Sequence, residues 1–254
     1  YICVQNRSMY TEYQPSHLLV PYIDSYWEFK GNPDYGMRIH ILPDGCTDFI
    51  FTLGEVANAV EEGSLIMQPY RSYFVGPMTK YSELVTYTES IHMFGVRFLP
   101  CGLSCFTNLP LHEFVNSRVS TNEMKAVFDD TFIEKLGEQK HVTDRIRVVE
   151  EYLLAYLARH YQPADSHVAM AVNMINHSKG KRSVRSLMDD VCLCQRHFER
   201  KFKHYTGFTP KEYSRIVKFK NAVELLRTTT SANLLTTAVD AGYYDLAHFA
   251  KEIK

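Results

Sequence analysis

The chain is poor in the features that announce an enzyme, a metalloprotein or a membrane protein. Its 254 residues include one tryptophan and twelve glycines, and no glycine belongs to a phosphate-cradling loop or a nucleophile elbow. No Ser/His/Asp grouping stands out. The six cysteines are irregularly spaced, and in the N-terminal part only Cys101 and Cys105 approach the separation that structural zinc requires. No apolar run is long enough to cross a bilayer, and no signal-peptide pattern opens the chain. Together these absences point to a non-catalytic protein of the reducing cytoplasm with no metal, cofactor or membrane partner. Met9 stands just before the first organised segment, so the eight residues from Tyr1 read as leader or added sequence.

An overall charge bias is missing as well, since the formal net charge is -1. That near-zero balance hides an asymmetry. Residues 179–227 hold 13 Lys/Arg against 5 Asp/Glu, whereas residues 1–178 hold 13 against 21. A basic stretch of this kind is the electrostatic footprint of a nucleic-acid partner. With 45% hydrophobic residues, the chain suffices for two compact domains.

Within the basic stretch, charge, periodicity and capping agree. Val184, Leu187, Met188 and Val191 mark a short amphipathic helix, and Cys192-Leu193 leaves a tight turn before a second helix near Cys194. On that helix Phe198, Phe202 and Tyr205 share one side. Arg196, Arg200 and Lys203 lie roughly opposite, flanked by Gln195 and Glu199. This is the pattern of helix, turn and recognition helix, and those five polar residues are the candidate base and phosphate contacts. Thr209-Pro210-Lys211-Glu212 announces a long helix to about Leu226 through a hydroxyl cap, a proline at the first position and a capping box. Its Lys218 and Lys220 are candidate phosphate contacts. A weaker copy follows, with Leu234 to Ala241 as a helix, Gly242 as the turn and Asp245 opening a helix that carries the candidate contacts His248 and Lys251.

Two such units joined by one helix, over about 183–254, resemble the AraC/XylS family of bacterial transcription regulators. The residues that carry the resemblance are Arg196-His197-Phe198-Glu199-Arg200-Lys201-Phe202-Lys203, Gly207 with Thr209-Pro210, Tyr213, Ala222 with Leu225-Leu226, and Ala238 to Tyr243 followed by His248-Phe249. It implies a sequence-specific regulator on double-stranded DNA, with RNA polymerase as a further partner and a closing segment beyond Lys254. Departures are Cys192 for the usual turn glycine, Cys194 for the usual serine cap, Thr237 for an apolar residue, and Leu246 and Ala247 in the second recognition helix. The first unit is therefore expected to carry more of the readout.

Residues 17–99 read mostly as strands: Ser25 to Phe29, Met37 to Leu42, Thr47 to Leu53, Tyr73 to Val75, Leu84 to Thr88 and Ile91 to Leu99, with turns at Gly31-Asn32-Pro33, Pro43-Asp44-Gly45 and Gly76-Pro77. Short strands at these intervals suggest an antiparallel barrel or jelly roll. Helical texture follows over Leu103 to Leu109, Asn122 to Leu136 and Val142 to Tyr161. The segments 41–51, 74–77 and 95–98 resemble an uncharacterised sensor-type domain found ahead of AraC-type domains, and this resemblance, over about 12–120, implies a cupin-like barrel. The fold class is thus α+β: an antiparallel barrel with helices over 9–161 and an all-α domain of two helix-turn-helix units over 166–254. Gln162 to Asp165 reads as the linker.

Seventeen tyrosines and fifteen phenylalanines supply walls for a small-molecule effector. The candidate pocket residues are Tyr26, Trp27, Phe49, Tyr81 and Arg97, the last needing an anionic partner that is either a ligand or an internal Asp44 or Asp48. His40 and His92 lack the close spacing of a metal-binding cupin pair. Three readings of the N-terminal domain stay open: effector sensor, ligand-free interaction module, and cysteine-based zinc, alkylation or metal sensor. Ile146, Val149, Leu153, Tyr156 or Leu157, and His160 form a seam that either pairs with a second copy or packs on its own barrel.

Overall fold

The structure, a computed structural model of the chain, describes residues 2–4, 9–61, 63–124, 127–128, 130–191, 193–228, 234–244 and 249. His248, Lys251 and the second recognition helix expected after Asp245 lie outside them. The strands are β1 (Ile2–Val4), β2 (Tyr10–Tyr13), β3 (Ile23–Gly31), β4 (Met37–Ile41), β5 (Thr47–Thr52), β6 (Asn58–Ala59), β7 (Ser72–Val75), β8 (Ser82–Thr86), β9 (Ile91–Phe98) and β10 (Arg118–Ser120). They form a four-stranded sheet in the order β1-β4-β8-β6 and a six-stranded sheet in the order β10-β7-β5-β9-β3-β2. Every pairing among the described strands is antiparallel, and the cupin-like part is two facing sheets, not a closed ring. Residues 2–4, within the stretch that reads as leader or added sequence, pair with β4 in the four-stranded sheet.

Strand alternation divides the interior in two. Trp27, Phe29, Ile50, Tyr73 and Met93 face the four-stranded sheet and meet Ile39 and Leu84. Their sequence neighbours Tyr26, Phe49, Phe51, Phe74 and Phe94 face the other way, into a second core closed by helices. The six-stranded sheet is therefore buried on both faces, which explains why its strands read as nearly continuous apolar runs. Gly95 permits this packing: a Cβ there would lie 2.0 Å from Cε2 of Trp27.

Helices α1 (Asp130–Gly137) and α2 (Val142–His160) cover the second core. Val149 and Leu153 have no exposed surface and pack with Phe128 and Phe132. At these two positions the expected seam is occupied by the chain's own sheet and is not open to a second copy. Arg145 crosses to β3, donating to Glu28 at 3.0 Å and to the carbonyls of Leu136 and Gln139. The helix expected over Leu103 to Leu109 is only a 3-10 turn, Leu103–Cys105. Leu109 precedes Pro110, which disfavours the α conformation before it. Of the helix expected over Asn122 to Leu136, α1 covers Asp130 onward and Val127 and Phe128 pack in the core, while residues 125, 126 and 129 lie outside the described residues.

The C-terminal part is α3 (Ser166–His177), α4 (Val184–Val191), α5 (Gln195–Thr206), α6 (Pro210–Thr228) and α7 (Leu234–Asp240). The first half of α6 joins the core of α3 to α5 through Tyr213 and Ile216. Its second half joins Ala238, Ala241, Tyr243 and Phe249 through Phe219 and Ala222. One helix serving two cores explains its apolar residues on more than one side.

The two parts interlock. The ring of Tyr213 lies on the β4–β5 turn, where a Cβ on Gly45 would come within 2.6 Å of it. Pro77 packs in the same way on Gly207 at the end of α5, and Cys101 sits in the core of α3 to α6. The segment expected to be the linker is held as well. Gln162 donates to Asn108 at 2.6 Å, and Asp165 caps α3 while accepting from Lys201 of α5 at 2.6 Å.

Candidate nucleic-acid interface

Helix α5 is built from an aromatic root outward. Phe198, Phe202 and Thr206 are buried against α3, α4 and α6, and each phenylalanine removed from water contributes about 1.5–3 kcal/mol to fixing the helix. Cys194 adopts the extended N-cap conformation but makes no side-chain cap, so the helix start is held by packing and by the main-chain bonds of His197 N and Phe198 N to the Cys194 carbonyl, each at 3.0 Å. At the other end Gly207 closes the helix at φ +83, its N–H donating to the Lys203 carbonyl at 2.9 Å. The next helix starts on the expected capping box: Glu212 N donates to Thr209 Oγ1 at 3.1 Å, and Thr209 N donates to Glu212 Oε2 at 2.7 Å.

On the outer face, Gln195, Arg196, Arg200 and Lys203 are exposed and Glu199 is half-buried. Gln195 Nε2 donates to Glu199 Oε1 at 2.9 Å, which occupies the one carboxylate of this face. Among the described residues the side chains of Arg196, Arg200 and Lys203 have no hydrogen-bond or ion-pair partner. Spaced four and three apart, they cover about 10 Å of helix. By contrast, Lys201, on the inner side, is held by Asp165, whose carboxyl is kept below the usual range by that lysine against the opposing effect of burial.

The two expected phosphate contacts on α6 behave differently. Lys218 Nζ lies 3.4 Å from the Gly242 carbonyl and 5.7 Å from the centre of the Tyr243 ring, where it ties α6 to the second unit. Lys220 lines a cleft of about 100 Å³ between α6 and the Leu42-Pro43 turn, with Phe219, Val223, Glu224 and Arg227. Burial in the cleft opposes its charge, but Asp44 and Asp24 outweigh burial and raise its pKa. In this arrangement Lys218 serves a contact within the protein, and Lys220 lines the cleft.

The five expected pocket residues do not converge. Trp27 and Arg97 line the space between the sheets, Tyr26 and Phe49 face the helical core, and Tyr81 stacks on His40 at the surface. Arg97 has its anionic partners inside the fold: Asp48 at 3.2 Å, Glu12 at 3.5 Å and Asp44 at 3.7 Å. Asp48 also accepts from Trp27 Nε1 at 2.7 Å, and Asp44 caps its own turn by accepting from Cys46 N at 2.9 Å. His92 is bonded to Glu28, apart from His40. Burial pushes the thiols of Cys46, Cys101 and Cys105 up, the reverse of what a nucleophilic or metal-binding thiol requires. The tether of Lys201 to Asp165 and the seat of Tyr213 on Gly45 had no local sequence signal, since each joins residues far apart in the chain.

A short helix, a turn and a second helix with a buried aromatic root and a free cationic face define a helix-turn-helix DNA-binding protein. Residues 187–254 match the family model described as a helix-turn-helix domain, and residues 11–120 match a domain of unknown function, DUF6597. The chain thus carries a helix-turn-helix domain, of the AraC type expected from its sequence, at its C-terminus. No curated protein matches it. Among solved structures it is similar in fold to ToxT from Vibrio cholerae, at 8% identity and a TM-score of 0.52 over 91% of this chain and 94% of that one. ToxT from strain O395 bound to (E)-4-(8-methylnaphthalen-1-yl)but-3-enoic acid is similar at 7% identity and a TM-score of 0.50, again over 91% and 94%.

Proposed function

We propose that this regulator reads its operator with α5 and is controlled through its N-terminal domain, with 9–161 as the sensing or pairing domain and 166–254 as the DNA-binding domain. The observation that carries the reading is the exposed row of Arg196, Arg200 and Lys203, cationic and without a partner among the described residues. Arg196 and Arg200 grip guanine edges in the major groove, Gln195 and Glu199 address neighbouring bases, and Lys203 meets phosphate. His248 and Lys251 are the corresponding candidates in the second unit. Control is by population shift. The β4–β5 turn, Pro77 and Cys101 all press on the DNA-binding domain, so any ligand or partner that moves the sheets alters how α5 is presented.

The effector class is a small organic acid, a reading supported by a ToxT structure of the same fold that holds a carboxylic acid. A second reading, a ligand-free interaction module, is favoured by how little free space the sheets enclose. Further partners are a second copy of the chain and RNA polymerase. Selection from random duplexes with the full chain tests the DNA reading, and one enriched motif with steeply salt-dependent affinity is the expected result. Binding without any preferred sequence would remove it.

A further inference from the structure

The C-terminal end of the recognition helix α5 is gripped by one well-anchored piece of the N-terminal domain, the 3-10 turn Leu111–Phe114 together with Pro77. Leu111 is buried in the helical core of the sheets, and Phe114 meets Phe74 edge-on with ring centres 5.6 Å apart. Asn116 N donates to the Pro77 carbonyl at 2.9 Å, which joins the turn to Pro77. A Cβ on Gly207 would lie 2.5 Å from Pro77 Cγ and 3.3 Å from the Leu111 carbonyl oxygen. Both halves of the grip therefore close on the glycine that ends α5.

Two imidazoles face each other across this contact. His112 of the turn and His204 of α5 have ring centres 6.3 Å apart, and His204 also stands edge-on to Tyr205 at 4.8 Å. Burial at the contact lowers the pKa of His204, His112 lowers it further, and Glu113 opposes them without reversing the direction. On the same helix, Arg200 and Lys203 stand one turn and one residue before His204 and add positive charge. From α3 come Asp165 and His167, but Asp165 is engaged by Lys201 at 2.6 Å. From α6 come Lys211 and Glu212, and Glu212 is engaged in its capping box with Thr209. A base whose pKa is lowered by docking docks best while neutral. Its contribution is complete above the ordinary imidazole value of about 6.5 and is lost as pH falls through that value towards the lowered one.

We propose that the contact between His112 and His204 is an acid-sensitive latch, in which protonation of the two rings drives the Leu111–Phe114 turn off the end of α5 and frees the recognition helix from the N-terminal domain. The latch stands on the contact between the domains, whereas its control of operator binding rests on the DNA-reading role proposed above for α5.

Hydrogen–deuterium exchange of the full chain at pH 7.5 and 5.5, each corrected for the intrinsic rate at that pH, reads the latch directly. Segments 111–116 and 203–207 should open at least about fivefold more readily at pH 5.5, while 149–153 in the helical core stays protected at both. The double variant His112→Gln with His204→Gln, neutral at both pH values, should open alike at the two within about twofold. His204→Lys, charged at both, should open at pH 7.5 as the wild type does at pH 5.5. Wild-type exchange that is the same at both pH values overturns the latch without recourse to any variant, as does loss of protection at 149–153 together with the latch segments. A folded double variant that keeps the wild-type acid response overturns it as well. DNA affinity at the two pH values separates the latch from its use. A change at least about threefold larger in the wild type than in the double variant supports control of binding, and equal changes keep the latch and remove that role.

Discussion

In the facing sheets, Arg97 turns inward and is met by carboxylates; on α5, Arg196 and Arg200 turn outward and have no partner among the described residues. Arg97 is 3% exposed and surrounded by Asp48, Asp44 and Glu12, so it holds three chain segments together. Arg200 has the same side chain and no partner among the described residues, and it contributes nothing comparable to the fold. The difference teaches that charge in a sequence is not by itself a functional signal. What marks a contact for another molecule is a cation the fold positions and then leaves unneutralised. By that standard Arg196, Arg200 and Lys203 stand out in the DNA-binding domain.

The comparison breaks most readily where a charge is forced into the core. Leu153→Glu places a carboxylate among Phe128, Phe132 and Val149 and should cost about 5 kcal/mol or more, leaving the N-terminal domain unfolded by circular dichroism. A folded monomer obtained from a dimeric wild type would instead restore α2 as a pairing surface. Arg97→Met should cost about 3–5 kcal/mol in urea denaturation, because Asp48 and Asp44 then lie buried without their cation. A loss below about 1 kcal/mol would mean that Arg97 is not a structural cation, and the contrast with α5 would collapse.

Smaller effects sharpen the contrast. Gly45→Ala meets both a φ of +86 and the Tyr213 ring at 2.6 Å, so a loss of about 1–3 kcal/mol is expected. If the two domains communicate through this contact, the same change alters DNA affinity, whereas equal affinity would show the seat to be packing only. Lys203→Ala should leave stability within about 0.5 kcal/mol and lower the salt slope of DNA binding by roughly one unit.

The recognition helix was legible because helical period, capping and charge converge on it. Thr209-Pro210-Lys211-Glu212 starts α6 as its spelling indicates. Six strands were legible from aromatic and β-branched runs. The short β2, β6 and β10 carry too few residues for a pattern, and β1 fell in a stretch read as leader. The pocket failed for a reason strand alternation already contained: Tyr26 and Trp27 are adjacent on β3, so they face opposite sides of the sheet. Contacts such as Tyr213 on Gly45 join residues more than a hundred apart, and local pattern holds no trace of them.

The most direct test of the account is duplex selection carried out in parallel with wild type and Arg200→Ala, alongside thermal unfolding of both. If Arg200 reads a base, the variant unfolds with the wild type, loses about 1–3 kcal/mol on the preferred site and relaxes preference at one base position. An unchanged selected motif from the variant, or a loss of stability in place of a loss of specificity, would contradict it.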